Sequence, residues 1–86
     1  RRLFARAETE FSKNEFPAAA ASFAEYVRQY PTDLRAGIAA IRQGQCLLKA
    51  GDAAGAVAVL DAPDGPFARQ LAAGISPDVL FGGLRV

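Results

Sequence analysis

The stretch FPAAAASFAEYVRQYP, residues 16 to 31, constrains the fold more than any other part of the chain. Ala19, Ala20, Phe23, Tyr26, Val27 and Tyr30 recur at helical spacing and make one broad apolar stripe. Glu25 and Arg28 fall on the opposite side. Proline punctuates both ends. Pro17 is tolerated in a first helical turn, where its missing N–H would have had no partner in any case. Pro31 drives the residue before it out of the α region. The pattern predicts a helix over Pro17–Gln29 whose alanines let a neighbour approach closely and whose aromatics fill the space between layers. Alanine is abundant elsewhere too, 19 residues of 86, and Val, Ile and Thr are few, so the expected fold class is all-α.

Before this helix, Leu3, Ala7 and Phe11 fall at i, i+4, i+8, with Phe4 one step round, and predict a helix over Leu3–Lys13. Arg6 and Glu10 form an i,i+4 pair expected on its far side. Ser12-Lys13-Asn14-Glu15 breaks it, and Asn14 suits a left-handed stop. After Pro31, Thr32 or Asp33 can cap a third helix over Leu34–Ala50. That helix is apolar most of the way round, with Leu34, Ile38, Ile41 and Gln45 on one side and Ala40, Gly44, Leu47 and Leu48 on another. It should be the most buried. Gly44 costs about 1 kcal/mol in a helix interior, which close helix packing would explain. Gly51-Asp52 reads as a stop and an N-cap, leading to a fourth helix over Ala53–Leu60 with Ala56, Val57 and Leu60 inward. Beyond the Pro/Gly cluster of residues 61–66, Phe67–Ala73 is long enough for two helical turns with Phe67 and Leu71 paired, and Gly74 ends it. Residues 75–86 hold at most a short turn at Pro77–Phe81 and otherwise read as an irregular strap.

Size and composition exclude several functions. Eighty-six residues make one small domain. The net charge of +1 comes from interspersed signs, too weak a field to recruit nucleic acid or an anionic membrane. Arg1, Arg2, Arg6 and Lys13 are interrupted by Glu8, Glu10 and Glu15 and read as a solvated face. No apolar run reaches the ~20 residues of a membrane span. A chain opening Arg1-Arg2 without any methionine reads as a piece of something longer. One cysteine and no histidine exclude an internal disulfide and remove the commonest metal ligand and general base. Cys46, on the most apolar helix, reads as a small core residue. Glu8 and Glu10 diverge by about 200° on a helix and make no working carboxylate pair. Ser12, Ser22 and Ser76 have no usual base beside them. No enzyme activity, cofactor or metal is expected.

The chain also repeats itself. Asn14-Glu15-Phe16 matches Gly51-Asp52-Ala53, Ala19 matches Ala56 and Phe23 matches Leu60, each pair 37 residues apart (51 − 14, 56 − 19, 60 − 23). Two antiparallel helices joined by a tight polar turn, recurring at a fixed period, mark a helical repeat array. With Ala7 and Gly44 in mid-helix, a Gly-Asp or Asn-Glu turn, Ala19, Phe23 and a closing Pro31, residues 3 to 62 resemble the tetratricopeptide (TPR) family. They are similar to the TPR proteins of bacterial cell envelopes: the Tol-Pal-associated periplasmic proteins and the lipoproteins of outer-membrane assembly. The resemblance implies antiparallel helix hairpins stacked as about two repeats, one over residues 3–33 and one over 34–62, with residues 63–86 as a cap. It favours the periplasm over the cytoplasm. The sequence departs from the family in its period of 37 rather than 34 and in Ala53, where an aromatic is usual.

In that family the first helix of each repeat lines the concave face. The resemblance therefore implies a partner-binding surface of Phe4, Glu8, Phe11 and Ser12 from the first unit and Ile38, Ile41, Gln45, Leu48 and Lys49 from the second. Such a face, apolar with a few polar groups, suits a protein-binding groove. The same residues also fit a core covered by the tail or by another repeat, and both readings stand at the level of sequence. The expected function is a non-catalytic scaffold for a peptide, a partner subunit or a second copy of the chain. The alternative is a structural spacer or cap within a larger protein. The basic-and-asparagine clamp that some TPR domains use for a terminal carboxylate is not evident.

Overall fold

The computed structural model describes residues 2–62 and 65–74, and all regular structure among them is helical. Five helices follow one another: α1 (Arg2–Ser12), α2 (Phe16–Gln29), α3 (Arg35–Lys49), α4 (Ala53–Leu60) and α5 (Pro66–Ala72). The first four helices pack in chain order, α1 on α2, α2 on α3 and α3 on α4, while α5 folds back onto α3. Helix ends lie within a residue of the sequence expectation, and Ala53–Leu60 is matched at both ends. The expected Pro77–Phe81 turn, the strap of residues 75–86 and the Phe67 side chain lie outside the described residues.

The two hairpin turns are built alike. Asn14 sits at φ 62° and Gly51 at φ 90°. The Asn14 N–H donates to the Phe11 carbonyl (3.1 Å) and the Glu15 N–H to that of Glu10 (2.9 Å). Thirty-seven residues on, the Gly51 N–H donates to Leu48 (3.0 Å) and the Asp52 N–H to Leu47 (2.7 Å). Each pair is the double bond of a Schellman stop, which satisfies two carbonyls the helix end would otherwise leave open. The next helix then starts from a similar backbone, Glu15 at φ −87°, ψ 67° and Asp52 at φ −105°, ψ 72°. Asp52 caps α4 by accepting from the Gly55 N–H at 2.9 Å. At the start of α3 it is Asp33, not Thr32, whose carboxylate accepts, from the Arg35 N–H at 2.8 Å.

Burial follows the stripes. Ala19, Phe23 and Tyr26 of α2 are wholly buried, with Ala20 nearly so. Phe4 of α1 meets Phe23 and Tyr26 edge-on, with ring centroids 5.8 and 5.1 Å apart, the arrangement aromatic quadrupoles favour. Ala7, Ala39 and Cys46 complete this core. Eight of the fifteen residues of α3 are buried, more than in any other helix, as its apolar circumference predicts. Gly44 lies against the end of α4: a Cβ there would stand 3.1 Å from Leu60 Cδ1.

Two expectations are corrected. Val57 does not point inward; it is 56% exposed, while Ala56 is buried. An eight-residue helix offers only about two turns, and α4 needs just the Ala56–Leu60 edge against α3. Glu10 does not lie on the far side of α1. It keeps its pairing with Arg6 at 3.6 Å, but its side chain is only 15% exposed, because Ser22 of α2 donates its hydroxyl to Oε1 at 2.5 Å.

Candidate functional site

The face shared by α1 and α3 carries a surface cavity of about 380 Å³. Phe11, Arg42, Gln45, Leu48 and Lys49 line it. Their positions follow from helix geometry. Residues 38, 42, 45 and 49 step along α3 at spacings of four, three and four, one face of a 3.6-residue helix. Phe11 arrives from the last turn of α1, just before the Asn14 stop.

The nine residues expected on this face divide. Phe11, Gln45, Leu48 and Lys49 come together at the cavity. Phe4 and Ile41 are buried, 8% and 3% exposed, so their side chains belong to the core and offer no docking surface. Ile38 is half-buried and packs against the core. Ser12 is exposed, and its hydroxyl donates to the Thr9 carbonyl of its own helix (2.9 Å). Glu8 stands outside the lining, yet it acts on it through Arg42.

Sequence reasoning missed Arg42. Its side chain is 8% exposed, and Nη1 lies 3.2 Å from the Glu8 carboxylate. Its guanidinium lies 5.4 Å from the centroid of the Phe11 ring. The guanidinium is therefore held between a carboxylate and a ring face, the two partners a planar cation prefers. The signal was present: Arg42 stands four residues after Ile38 and three before Gln45, on the very stripe assigned to the surface. The resemblance places only the apolar positions of that stripe, with Gln45 and Lys49, in the lining. Lys49 makes a parallel contact, its ammonium 5.3 Å from the Phe16 ring centroid. Arg35 likewise lies over Phe4 at 5.4 Å. Side chains of α3 thus grip α1 and the start of α2 along their length.

The site's polarity is distinct. Apolar walls from Phe11 and Leu48 face the amide of Gln45 and two cations, and among the described residues no carboxylate lines the cavity. Leu48 is 54% exposed, an aliphatic side chain with open area on the cavity wall. Behind this face, burial pushes the Cys46 thiol up to about 11, an effect that Arg42 and Lys49 partly offset. A wholly buried, neutral thiol is a packing group. Among the described residues no group of three His, Cys, Asp or Glu side chains converges as a metal site would require, and no helix is long and apolar enough to cross a membrane.

No family model, curated protein or solved structure matches the chain. The fold and the site therefore define its class by themselves: an all-α protein of short packed helices carrying an open apolar and cationic cleft.

Proposed function

We propose that this chain is a TPR-like helical-repeat segment and that its α1–α3 face is a non-catalytic docking groove for a peptide or helix of a protein partner. The observation that carries the proposal is the cavity of about 380 Å³ whose wall includes the half-exposed Leu48. Apolar walls interrupted by a few fixed polar groups are what peptide grooves use, the walls for affinity and the polar groups for register. Arg42 is held in place by Glu8 and Phe11 before any ligand arrives, which lowers the ordering cost of binding. Support for the repeat comes from the two Schellman turns spaced 37 residues apart and from the equivalent burial of Phe4 with Ile41, Ala7 with Gly44 and Ala19 with Ala56.

The test is selection of a random dodecapeptide library on the purified chain, followed by measurement of each enriched peptide against Leu48→Lys. Leu48 is exposed enough for the variant to fold, which its melting curve checks. Enriched peptides that bind the parent and lose at least tenfold in affinity for the variant support the groove. No enrichment, or peptides indifferent to Leu48→Lys, overturns it.

A second reading has its own observation. Leu34 and Val57, 50% and 56% exposed, lie outside the cavity lining, and exposed aliphatic residues favour self-association. Light scattering across a hundredfold concentration range tests it. A dimer dispersed by Val57→Lys and unaffected by Leu48→Lys would assign the self-contact to α4 and leave the α3 face to a partner.

A further inference from the structure

We infer that the groove selects a peptide in which a carboxylate side chain lies beside an aliphatic one, and that Lys49 is the residue that reads the carboxylate. The inference rests on the groove reading above and adds the chemistry of its occupant.

Charge complementarity at the cleft carries it. Among the described residues two cations line the cavity and no carboxylate does. The cations are not equivalent. Arg42 is nearly buried and its charge is met by Glu8 at 3.2 Å. Lys49 is exposed, its contact is the Phe16 ring, and among the described residues no carboxylate lies within ion-pair distance of it. An ammonium seated over a ring face still has N–H donors directed away from the ring. Lys49 lines the cavity together with Phe11, Arg42, Gln45 and Leu48. A ligand that fills the cleft therefore puts an aliphatic group against Leu48 and Phe11 and whatever lies next to it against Lys49. A neutral neighbour gains at most a weaker hydrogen bond there, and a cationic one is repelled. A carboxylate gains a charge-assisted hydrogen bond.

The same features disfavour a polyanion. One ammonium without a carboxylate partner gives no track for successive phosphates, and Glu8 opposes it at the Arg42 end. The half-exposed setting also sets the size of the effect. A single ion pair at such a site is worth up to about fivefold in affinity, and salt screens it.

Three octapeptides, acetylated and amidated so that no terminal charge contributes, test the inference on the full chain. In each, two leucines are flanked by aspartates, by asparagines or by lysines. Binding is followed by amide chemical shifts of residues 42–49, with Lys49→Gln as the comparison protein. The expected result is that the aspartate peptide binds about three- to fivefold more tightly than the asparagine peptide in low salt, and the lysine peptide more weakly still. The aspartate preference should disappear in Lys49→Gln and shrink toward unity in 0.5 M salt. If asparagine and aspartate peptides bind equally, the groove stands and the carboxylate inference falls. A preference that persists undiminished in Lys49→Gln overturns the role of Lys49. A single-stranded oligothymidylate that displaces the aspartate peptide at equal concentration makes the site a general anion site and overturns the inference. If none of the peptides moves these amides, the groove reading itself fails.

Discussion

Gly44 is the position where the packing of α3 on α4 can be tested by sign as well as by size. Replacing a glycine by alanine inside a helix ordinarily stabilises by about 1 kcal/mol, because the unfolded chain loses freedom it would otherwise keep. Here the new Cβ would stand 3.1 Å from Leu60 Cδ1 and 3.2 Å from Cγ. Carbon atoms prefer about 3.5–4.0 Å, so Leu60 must retreat by roughly half an ångström. Leu60 is half-buried at the last residue of α4, so it can move, at a cost of about 1.5–2 kcal/mol for overpacking. The expected net effect of Gly44→Ala is a loss of about 0.5–1 kcal/mol. Leu60→Ala alone should cost about 1–2 kcal/mol, the low end for a partly buried leucine. In the Leu60→Ala background the obstruction is gone, so Gly44→Ala should stabilise by close to 1 kcal/mol. The double-mutant coupling is then about 1.5–2 kcal/mol. Urea unfolding followed by circular dichroism measures all four proteins. If Gly44→Ala stabilises by the same amount in both backgrounds, α3 and α4 do not approach as closely as described, and the packing argument is wrong.

Three further perturbations probe the turns, the α1–α2 link and the buried thiol. Gly51→Ala should cost about 1 kcal/mol through its left-handed backbone, whereas Asn14→Gly should be neutral or slightly stabilising and Asn14→Ala should cost ~0.5–1 kcal/mol; equal effects of alanine and glycine at 14 in thermal melts would contradict a left-handed stop there. Ser22→Ala removes a hydroxyl that donates to a mostly buried carboxylate and should cost about 1.5–2 kcal/mol. Glu10→Gln, which keeps an acceptor, should cost less, and the reverse order in urea unfolding would sink the assignment. Cys46, raised by burial from 9.0 to about 11, keeps its stabilising contribution in full below pH 9 and loses it as the pH rises toward 11, because the unfolded thiol releases its proton first. Stability measured from pH 8 to 11 should therefore fall more steeply for the parent than for Cys46→Ala; parallel curves would refute a buried thiol.

The helices were legible because each carries its own local instructions. Alanine content, the Pro17 and Pro31 punctuation, Asn14 and the Gly51-Asp52 pair act within a few residues of themselves, so no knowledge of the neighbours is needed to place the helix ends. The reach of one helix over another is not local, and there the sequence was less informative. Phe4 and Phe11 illustrate it. They stand seven residues apart on the same stripe of α1, nearly superimposed along its axis. By periodicity they are equivalent, and both were expected on one surface. In the structure Phe4 is in the core against Phe23 and Tyr26, while Phe11 sits at the α1 end beside the Asn14 stop and lines the cleft.

Arg42 sharpens the same point. Apolar periodicity takes an arginine on a buried helix for a solvated residue, because an unpaired buried charge costs several kcal/mol. That cost is avoided only by partners, and one of them is Glu8, thirty-four residues earlier on another helix (42 − 8). A carboxylate that looked like part of a mixed-charge surface is thus what allows a cation to sit in the wall of the cleft. Removing its charge tests the logic: Glu8→Gln takes the carboxylate away from Arg42, so the cleft should lose both its shape and its peptide affinity, with little change in helix content. Since Lys49 rests on Phe16 and not on Glu8, any residual binding in that variant should keep its preference for carboxylate. A loss of affinity that spares the preference separates the residue that shapes the cleft from the one that reads the ligand.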